Sequence, residues 1–364
     1  VQNQELSKAI GAVSRAVSAK TALSVLECVR IEAKDGALKL TGSDTEITVI
    51  TTIPAVIRRE GSVLVPLRTL GDLARTYPDE AIDFTVDEKN VLMIQCASSE
   101  VTILGRDAQD YPDIKSYEDK GIAADSGLFK DMIRTTVFAC APQININPVL
   151  MGVYVQYEGN VMRFTALDGC KFAQRKAAVA ESVSSPIGAI VPGRGMNELL
   201  KILSAYEEDI SFMIKDKRFI VNVAQTQIIV NLLEGAFINY DRLLPKQINT
   251  VVTVGRQRLL VSMERASLIT DETRNSLIKL DFEADTLHLS SHSDKGNVSD
   301  DIEVKTEGAD LKVAFNARYF VEILKNIKDD EIVIHFKDNS GPCMITPTGA
   351  DTFLYLIMPV RYKD

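Results

Sequence analysis

Lysine and arginine recur in this chain at a spacing that suits contact with phosphate. Lys8 and Arg15, Arg68 and Arg75, Arg194 and Lys201, Arg258 and Arg265, and Arg318 and Lys325 stand seven residues apart, and Lys130 and Arg134 stand four apart. At about 100° per helical residue, seven steps return to within roughly 20° of the starting direction. Each pair therefore forms a cationic stripe on one helix face. Any single stripe is equally explained as a solvated face, because Lys and Arg are good helix formers. Six stripes of one sign in an acidic chain point instead to a shared basic surface. No helix-turn-helix, zinc-finger spacing or Trp accompanies them, so the chemistry expected is phosphate contact without base readout.

Other reactive groups are poorly placed for catalysis. No GxxxxGK[ST] occurs, and the GxG of Gly193–Gly195 is too short for a dinucleotide site. His288 and His292, four apart, are expected in a strand-to-loop stretch as surface histidines. His335 lies in the alternating run EIVIHF and reads as structural. Glu207, Glu208 and Asp209 read as a solvated turn. Cys28, Cys96, Cys140, Cys170 and Cys343 are odd in number and widely spaced, with no CxxC. That argues against a disulfide framework or zinc site and for a reducing cytoplasm. No catalytic residue, metal or cofactor is expected.

The stripes require helices to carry them. Six segments have the apolar period of an amphipathic helix, at about 5–20, 67–77, 127–139, 193–205, 255–269 and 316–328. They hold fifteen basic residues, Lys20, Arg256 and Lys328 among them, against six acidic ones. The helices thus carry nine excess positive charges and the rest of the chain eighteen excess negative ones, within a net charge of −9. Acidic charge elsewhere would keep the particle soluble and steer a polyanion toward the basic side.

The helices sit in a faint threefold repeat. VLVPLRTLGDLART, AIVPGRGMNELLKIL and KVAFNARYFVEILKNI align on Val65, Val191 and Ala314, and each is followed by an acidic turn and an alternating strand: EAIDFTV, EDISFMI and DEIVIHF. Each is preceded by another helix and a strand hairpin with KDG, YEGN or EAD at the turn. Polar stretches at IKSYEDKG and LLPKQINT separate the copies. The fold expected is α+β, with similar domains at 1–121, 122–246 and 247–364. At 364 residues the chain exceeds one ordinary core. No apolar run reaches the roughly 18 residues of a membrane span, and no basic-then-apolar leader opens it. Val1 is read as the product of initiator-Met removal or of a start inside a longer chain.

These residues resemble the beta subunit of bacterial DNA polymerase III, the DNA sliding clamp family, along the whole length. The stretches that carry the resemblance are VLMGVYVQYEGNVMRFTALDGCKFA, IVPGRGMNELLKIL, VAFNARYFVEILK, AQDYPDI and the tail YLIMPVRY. The resemblance implies three clamp domains per chain and a head-to-tail homodimer, a ring with helices lining a central channel and sheets outside. It implies a cytoplasmic, non-catalytic processivity factor that encircles double-stranded DNA without sequence preference. Lys8, Arg15, Lys20, Arg68, Arg75, Lys130, Arg134, Arg194, Lys201, Arg258, Arg265, Arg318 and Lys325 would face the DNA. Val101 and Ile103 would meet Leu268 and Ile269 of the next copy.

The resemblance also implies one groove per chain for short linear peptides of the polymerase III catalytic subunit, the clamp loader, other DNA polymerases and repair proteins. Matching positions are Leu150, Leu167, Gly169, Cys170, Lys171, Phe172, Ile238, Arg242, Leu243, Asn316, Tyr319, Met344, Leu356, Ile357, Met358, Pro359, Val360 and Arg361. Cys170 and Lys171 stand where relatives often carry His and Arg, Ile238 where many have Pro, and Asn147 where many place a basic residue near DNA. Lys363 and Asp364 follow Tyr362, where many relatives end. Two rival readings are an enzyme with a cleft between repeated domains and a regulator that grips DNA without encircling it. Retention on circular but not linear DNA separates the clamp from the regulator.

Overall fold

The computed structural model describes residues 1–17, 23–142, 147–270 and 276–361. In the first repeat, α1 (Asn3–Val13) precedes β1 (Cys28–Lys34), β2 (Ala37–Ser43), β3 (Ile47–Pro54) and β4 (Gly61–Pro66), and α2 (Leu67–Ala74) precedes β5 (Ile82–Val86), β6 (Val91–Cys96) and β7 (Ser99–Leu104). The second runs β8 (Ile122–Ala124), α3 (Ser126–Arg134), β9 (Gly152–Leu167), β10 (Lys171–Pro192), α4 (Gly193–Leu203), β11 (Ile210–Lys215), β12 (Arg218–Val223) and β13 (Thr226–Asn231). The third runs β14 (Thr250–Gly255), α5 (Arg256–Ile269), β15 (Leu277–Glu283), β16 (Thr286–Ser293), β17 (Gly296–Glu303), β18 (Lys305–Gly308) and β19 (Leu311–Asn316). It closes with α6 (Ala317–Asn326), β20 (Glu331–Phe336), β21 (Cys343–Pro347) and β22 (Phe353–Ile357).

Each helix buries the apolar stripe its period predicts. Leu6, Ile10 and Val13 of α1, Leu67 and Leu70 of α2, and Phe320, Ile323 and Leu324 of α6 are all 5% exposed or less. The helices are shorter than the periodicity suggests. After α3, the hydroxyls of Thr135 and Thr136 donate to the carbonyls of Asp131 and Met132, each at 2.7 Å. Such back-bonding competes with helix propagation, and the chain tightens into a 3₁₀ turn at Val137–Ala139. Arg15 falls on a 3₁₀ turn after α1 and Arg75 just past α2.

Turn chemistry follows the sequence. Asp35 and Gly36 both take positive φ, 49° and 74°, in the two-residue turn between β1 and β2. That is the requirement of a primed hairpin turn, which Asp-Gly meets at little steric cost.

The chain divides into two compact units, residues 1–130 with 194–232, and 131–193 with 233–364. In the first, one eight-stranded sheet has the order β4-β1-β2-β3-β13-β12-β11-β8, and β5-β6-β7 forms a second sheet. The seam between repeats is β3 against β13, from Thr51 opposite Thr226 to Ile47 opposite Val230. A buried hydroxyl pair, Thr51 with Thr226 at 2.8 Å, sits in it. In the second unit the order is β18-β14-β20-β21-β22-β10-β9, beside β17-β16-β15-β19. Here β10 and β22 join the repeats, from Lys171 opposite Ile357 to Arg175 opposite Phe353. Sheets thus run through the junctions between repeats, so each seam is held by backbone hydrogen bonds.

Candidate functional site

The helical cations stand opposite the buried stripes. Lys8, Arg15, Arg68, Arg75, Arg194, Lys201, Arg258, Arg265, Arg318 and Lys325 are exposed, and Lys130 and Arg134 half-buried. Lys20 lies outside the described residues. Acid partners draw down part of this charge. Arg194 pairs with Asp44 and with Glu46 at 2.8 Å, and Arg265 pairs with Asp300. Arg75 pairs with Asp72, Lys201 with Glu198 at 2.7 Å, and Lys325 with Glu264 at 2.9 Å. Asp44, Glu46 and Asp300 lie off the helices, so a count restricted to helices overstates the free positive charge. Lys8 sits 4.2 Å from the Tyr206 ring centroid, and Lys130 donates to the Tyr206 carbonyl at 3.2 Å.

Arg134 belongs to a tighter group. It donates to Asp131 at 2.8 Å and to Asn326 at 3.0 Å, while Lys328 and Arg175 approach the same Asp131 at 3.0 and 3.4 Å. Burial pushes the Asp131 pKa up, but hydrogen bonds from Arg134 and Lys328 outweigh it, and the net displacement is downward. Arg134 therefore fastens α3 to the end of α6 rather than standing free for a ligand.

The second site is apolar. Leu167, Phe172 and Leu356 form a buried floor, with Leu150, Phe237, Ile238, Tyr240, Leu244, Met344 and Leu354 partly buried around it. Phe172 and Tyr240 lie 5.4 Å apart by ring centroid, and Tyr240 donates to Gln156 at 3.1 Å. Beside the floor, the Asp168 carboxylate accepts from the backbone of Cys170 and Lys171, both at 2.9 Å. This tight turn puts Gly169 at φ 93°, a conformation costly for other residues. The tail closes one side: Met358 N–H donates to the Cys170 carbonyl and Val360 N–H to that of Ala314, each at 2.8 Å. Met358 is 40% exposed. Asn316 caps α6, its side chain accepting from Arg318 N at 2.9 Å. Burial and a hydrogen bond with Cys170 push the Tyr319 hydroxyl up to about 12.

Three residues expected in the groove from the sequence lie outside the apolar cluster. The Lys171 side chain is only 8% exposed; its ammonium pairs with Glu322 and lies near the rings of Tyr319 and Phe138, at 5.3 and 5.7 Å. It is an internal fastener. Ile357 is fully buried on the opposite strand face from Leu356. Leu243 is exposed and outside the cluster, and Leu244 supplies that contact. Sequence reading missed Phe237, Tyr240, Leu244 and Leu354. Only Leu354 had a usable signal, its period-two relation to Leu356 and Met358. Pro359 and Val360 are half-buried, and Arg242 and Arg361 exposed.

At the strand edges, Ile103 is 5% exposed and packs inward, whereas its neighbour Leu104 is 78% exposed. Val101 is half-buried. On α5, Leu268 is 75% exposed and Ile269 half-buried.

The GxG opening α4 also has a packing reason. A Cβ at Gly195 would lie 2.4 Å from Val230 Cγ1, so the helix approaches the sheet too closely for a side chain. His288 and His292 lie on β16, bonded to Asp301 at 2.7 Å and to Asn297. No described helix is long and apolar enough to cross a membrane.

Three tandem α+β repeats, each with two helices whose outer faces are basic and with sheets continuous across the junctions, define a clamp-type scaffold. Models of the DNA polymerase III beta subunit match the chain in three parts: the N-terminal domain over residues 1–115, the central domain over 124–239 and the C-terminal domain over 241–361. A beta sliding clamp of Staphylococcus aureus is 32% identical over 358 residues, 95% of this chain and 94% of its own length. The crystal structure of the Bacillus subtilis DNA polymerase sliding clamp superposes with a TM-score of 0.96 at 28% identity, over 100% of this chain and 98% of that one. The Thermotoga maritima DNA polymerase III beta subunit gives 0.92 at 27%, over 100% and 99%. The chain belongs to the DNA polymerase III beta subunit family, the beta sliding clamps, which are non-catalytic processivity factors of replication.

Proposed function

We propose that two copies of this chain join head to tail into a ring that encloses duplex DNA, and that a groove on each copy tethers the replicative polymerase and other partners by short peptides. The domains of this reading are residues 1–121, 122–246 and 247–364, and its place of work is the cytoplasm. The observation that carries it is the recurrence of exposed Lys and Arg opposite the apolar stripe in helices of all three repeats. Many weak phosphate contacts hold a duplex without fixing its register, which permits sliding. Pairing of several cations with nearby carboxylates keeps each contact weak. The edge strands β7 and β17, with Leu104 and Leu268 exposed nearby, offer complementary ends for a heterologous contact that closes.

The groove suits a peptide with Leu or Phe anchors: apolar walls take the anchors, and the polar turn at Asp168–Lys171 orients the backbone. Met358, flexible and polarizable, accommodates varied partners. Tethering raises the local concentration of the polymerase at the primer end. The test is topological. After loading by a clamp loader with ATP, the protein is expected to stay on closed circular DNA through a salt wash and to leave when the circle is cut. Equal retention on both forms would sink the ring.

A further inference from the structure

We infer that the second unit holds a site for a free phosphate-class oxyanion, built around Arg175 where β10 meets β22. A cavity of about 160 Å³ opens there. Arg134, Arg175 and Lys328 line it, against the acidic residues Asp131 and Asp329. All five belong to this one unit.

Two of the three cations are accounted for by structure. α3 ends at Arg134 and α6 at Asn326, and a helix C-terminus is a negative pole. Arg134 donates to the Asn326 carbonyl at 3.3 Å and to the Asp131 carboxylate at 2.8 Å. Lys328 reaches the same carboxylate oxygen at 3.0 Å. Arg175 comes instead from a strand, opposite Phe353 in register, and answers neither helix end. Its side chain is only 20% exposed. Its Nε is buried, stands 3.4 Å from Asp131 outside hydrogen-bond geometry, and has no other partner among the described residues. A guanidinium has five donors and does not shed its charge. Holding it in such a place with donors unmet is costly. Phe353 and Tyr355 on the same wall are buried aromatics, beside which an apolar residue would pack without that cost.

The chemistry that fits is a small tetrahedral oxyanion. The planar guanidinium fork meets two oxygens of such an ion at once. Lys328, its side chain 77% exposed, is free to turn toward a third, and Thr352 brings a hydroxyl to the same wall. The space equals about five waters at roughly 30 Å³ each. That admits one such ion with part of its hydration, and falls below the roughly 300 Å³ or more of sites for larger ligands. A phosphodiester of duplex DNA would have to bring two sugars with it, so the site suits a free ion. The ion would join Arg175 of the second repeat to Lys328 of the third and brace the β10–β22 seam.

The inference stands apart from the clamp reading. It is tested by titrating inorganic phosphate into the full chain at constant ionic strength, with binding followed by calorimetry. One saturable site per chain is expected, and Arg175→Gln is expected to weaken it about tenfold or more, the usual effect of losing a charge-assisted hydrogen bond. Lys305→Gln, which removes an exposed cation elsewhere in the unit, should leave it unchanged. Should Arg175→Gln not fold, Arg175→Lys keeps the charge without the fork and is expected to bind more weakly than the native chain. Equal affinity in the native and Arg175-substituted chains would mean an adventitious ion only and overturns the inference. Absence of saturable binding overturns it too. So does loss of the phosphate site on adding short duplex DNA, which would assign the cavity to the DNA backbone.

Discussion

Lys171 and the helical cations are the same chemistry put to opposite uses. The Lys171 ammonium is nearly buried, paired with Glu322 and flanked by two rings. Lys201 and Lys325, by contrast, have about half their side chains exposed and reach single carboxylates from water. A buried cation that loses its partners leaves charge in low dielectric, so it fixes a geometry. An exposed pair contributes little and exchanges readily for another anion. The proposed groove would need the first property, because its walls must keep their spacing. A surface along which DNA slides would need the second.

The contrast can be broken most severely at the groove floor. Phe172→Ala should destabilise the second unit by about 3–5 kcal/mol, the usual range for removing a buried aromatic side chain. Anchor-peptide binding should fall below detection. Denaturant unfolding and peptide titration read both, and a normal peptide affinity would move the groove elsewhere. Lys171→Met should cost about 1–3 kcal/mol, because Glu322 keeps partial access to water. Lys171→Arg should recover most of that loss and of the peptide affinity. If Met and Arg behave alike, the charge is not what holds the turn.

The exposed side of the comparison predicts smaller effects. Arg68→Ala should weaken binding uniformly across DNA sequences and reduce the slope of log affinity against log salt by about 0.9, one phosphate contact. A sequence-dependent loss would contradict phosphate-only recognition. Asp44→Asn is expected to strengthen DNA binding a few fold by releasing Arg194, which Asp44 and Glu46 now hold. Unchanged affinity would place Arg194 away from the duplex.

The smallest effect is an acid limb. The Asp131 pKa lies below its ordinary value in the fold. Its contribution is therefore fully present above the unfolded carboxylate pKa, near 4, and lost as pH falls through the depressed folded value. Asp131→Asn should flatten the stability profile below about pH 4 and leave it parallel to wild type above. Identical acid limbs in urea melts at stepped pH would remove Asp131 from the account.

Much of the scaffold was legible beforehand. The apolar periods located all six described helices, and turn residues such as Asp35 and Gly36 located hairpins. Helix ends were overrun because Thr135 and Thr136 stop α3 by bonding back to its carbonyls, a choice hidden from a hydrophobic count. The apolar cluster proposed as the groove was legible only where residues matched a family pattern. Phe237, Tyr240 and Leu244 come from an irregular stretch with no period to read, and join Phe172 only when the chain folds back on β10. Ile103 is buried and Leu104 exposed because a one-residue difference on a strand swaps faces.

Local chemistry dictated the repeats, the amphipathic helices and the positions of the cations, because each depends on neighbours within one or two turns of chain. Folding alone settled which cations are free. Arg194 meets Asp44 and Glu46 from another repeat, and Lys171 meets Glu322 across the β10–β22 seam. Charge in a linear sequence adds up regardless of distance, whereas electrostatic energy depends on separation and burial, and both are set by strands that pair more than a hundred residues apart.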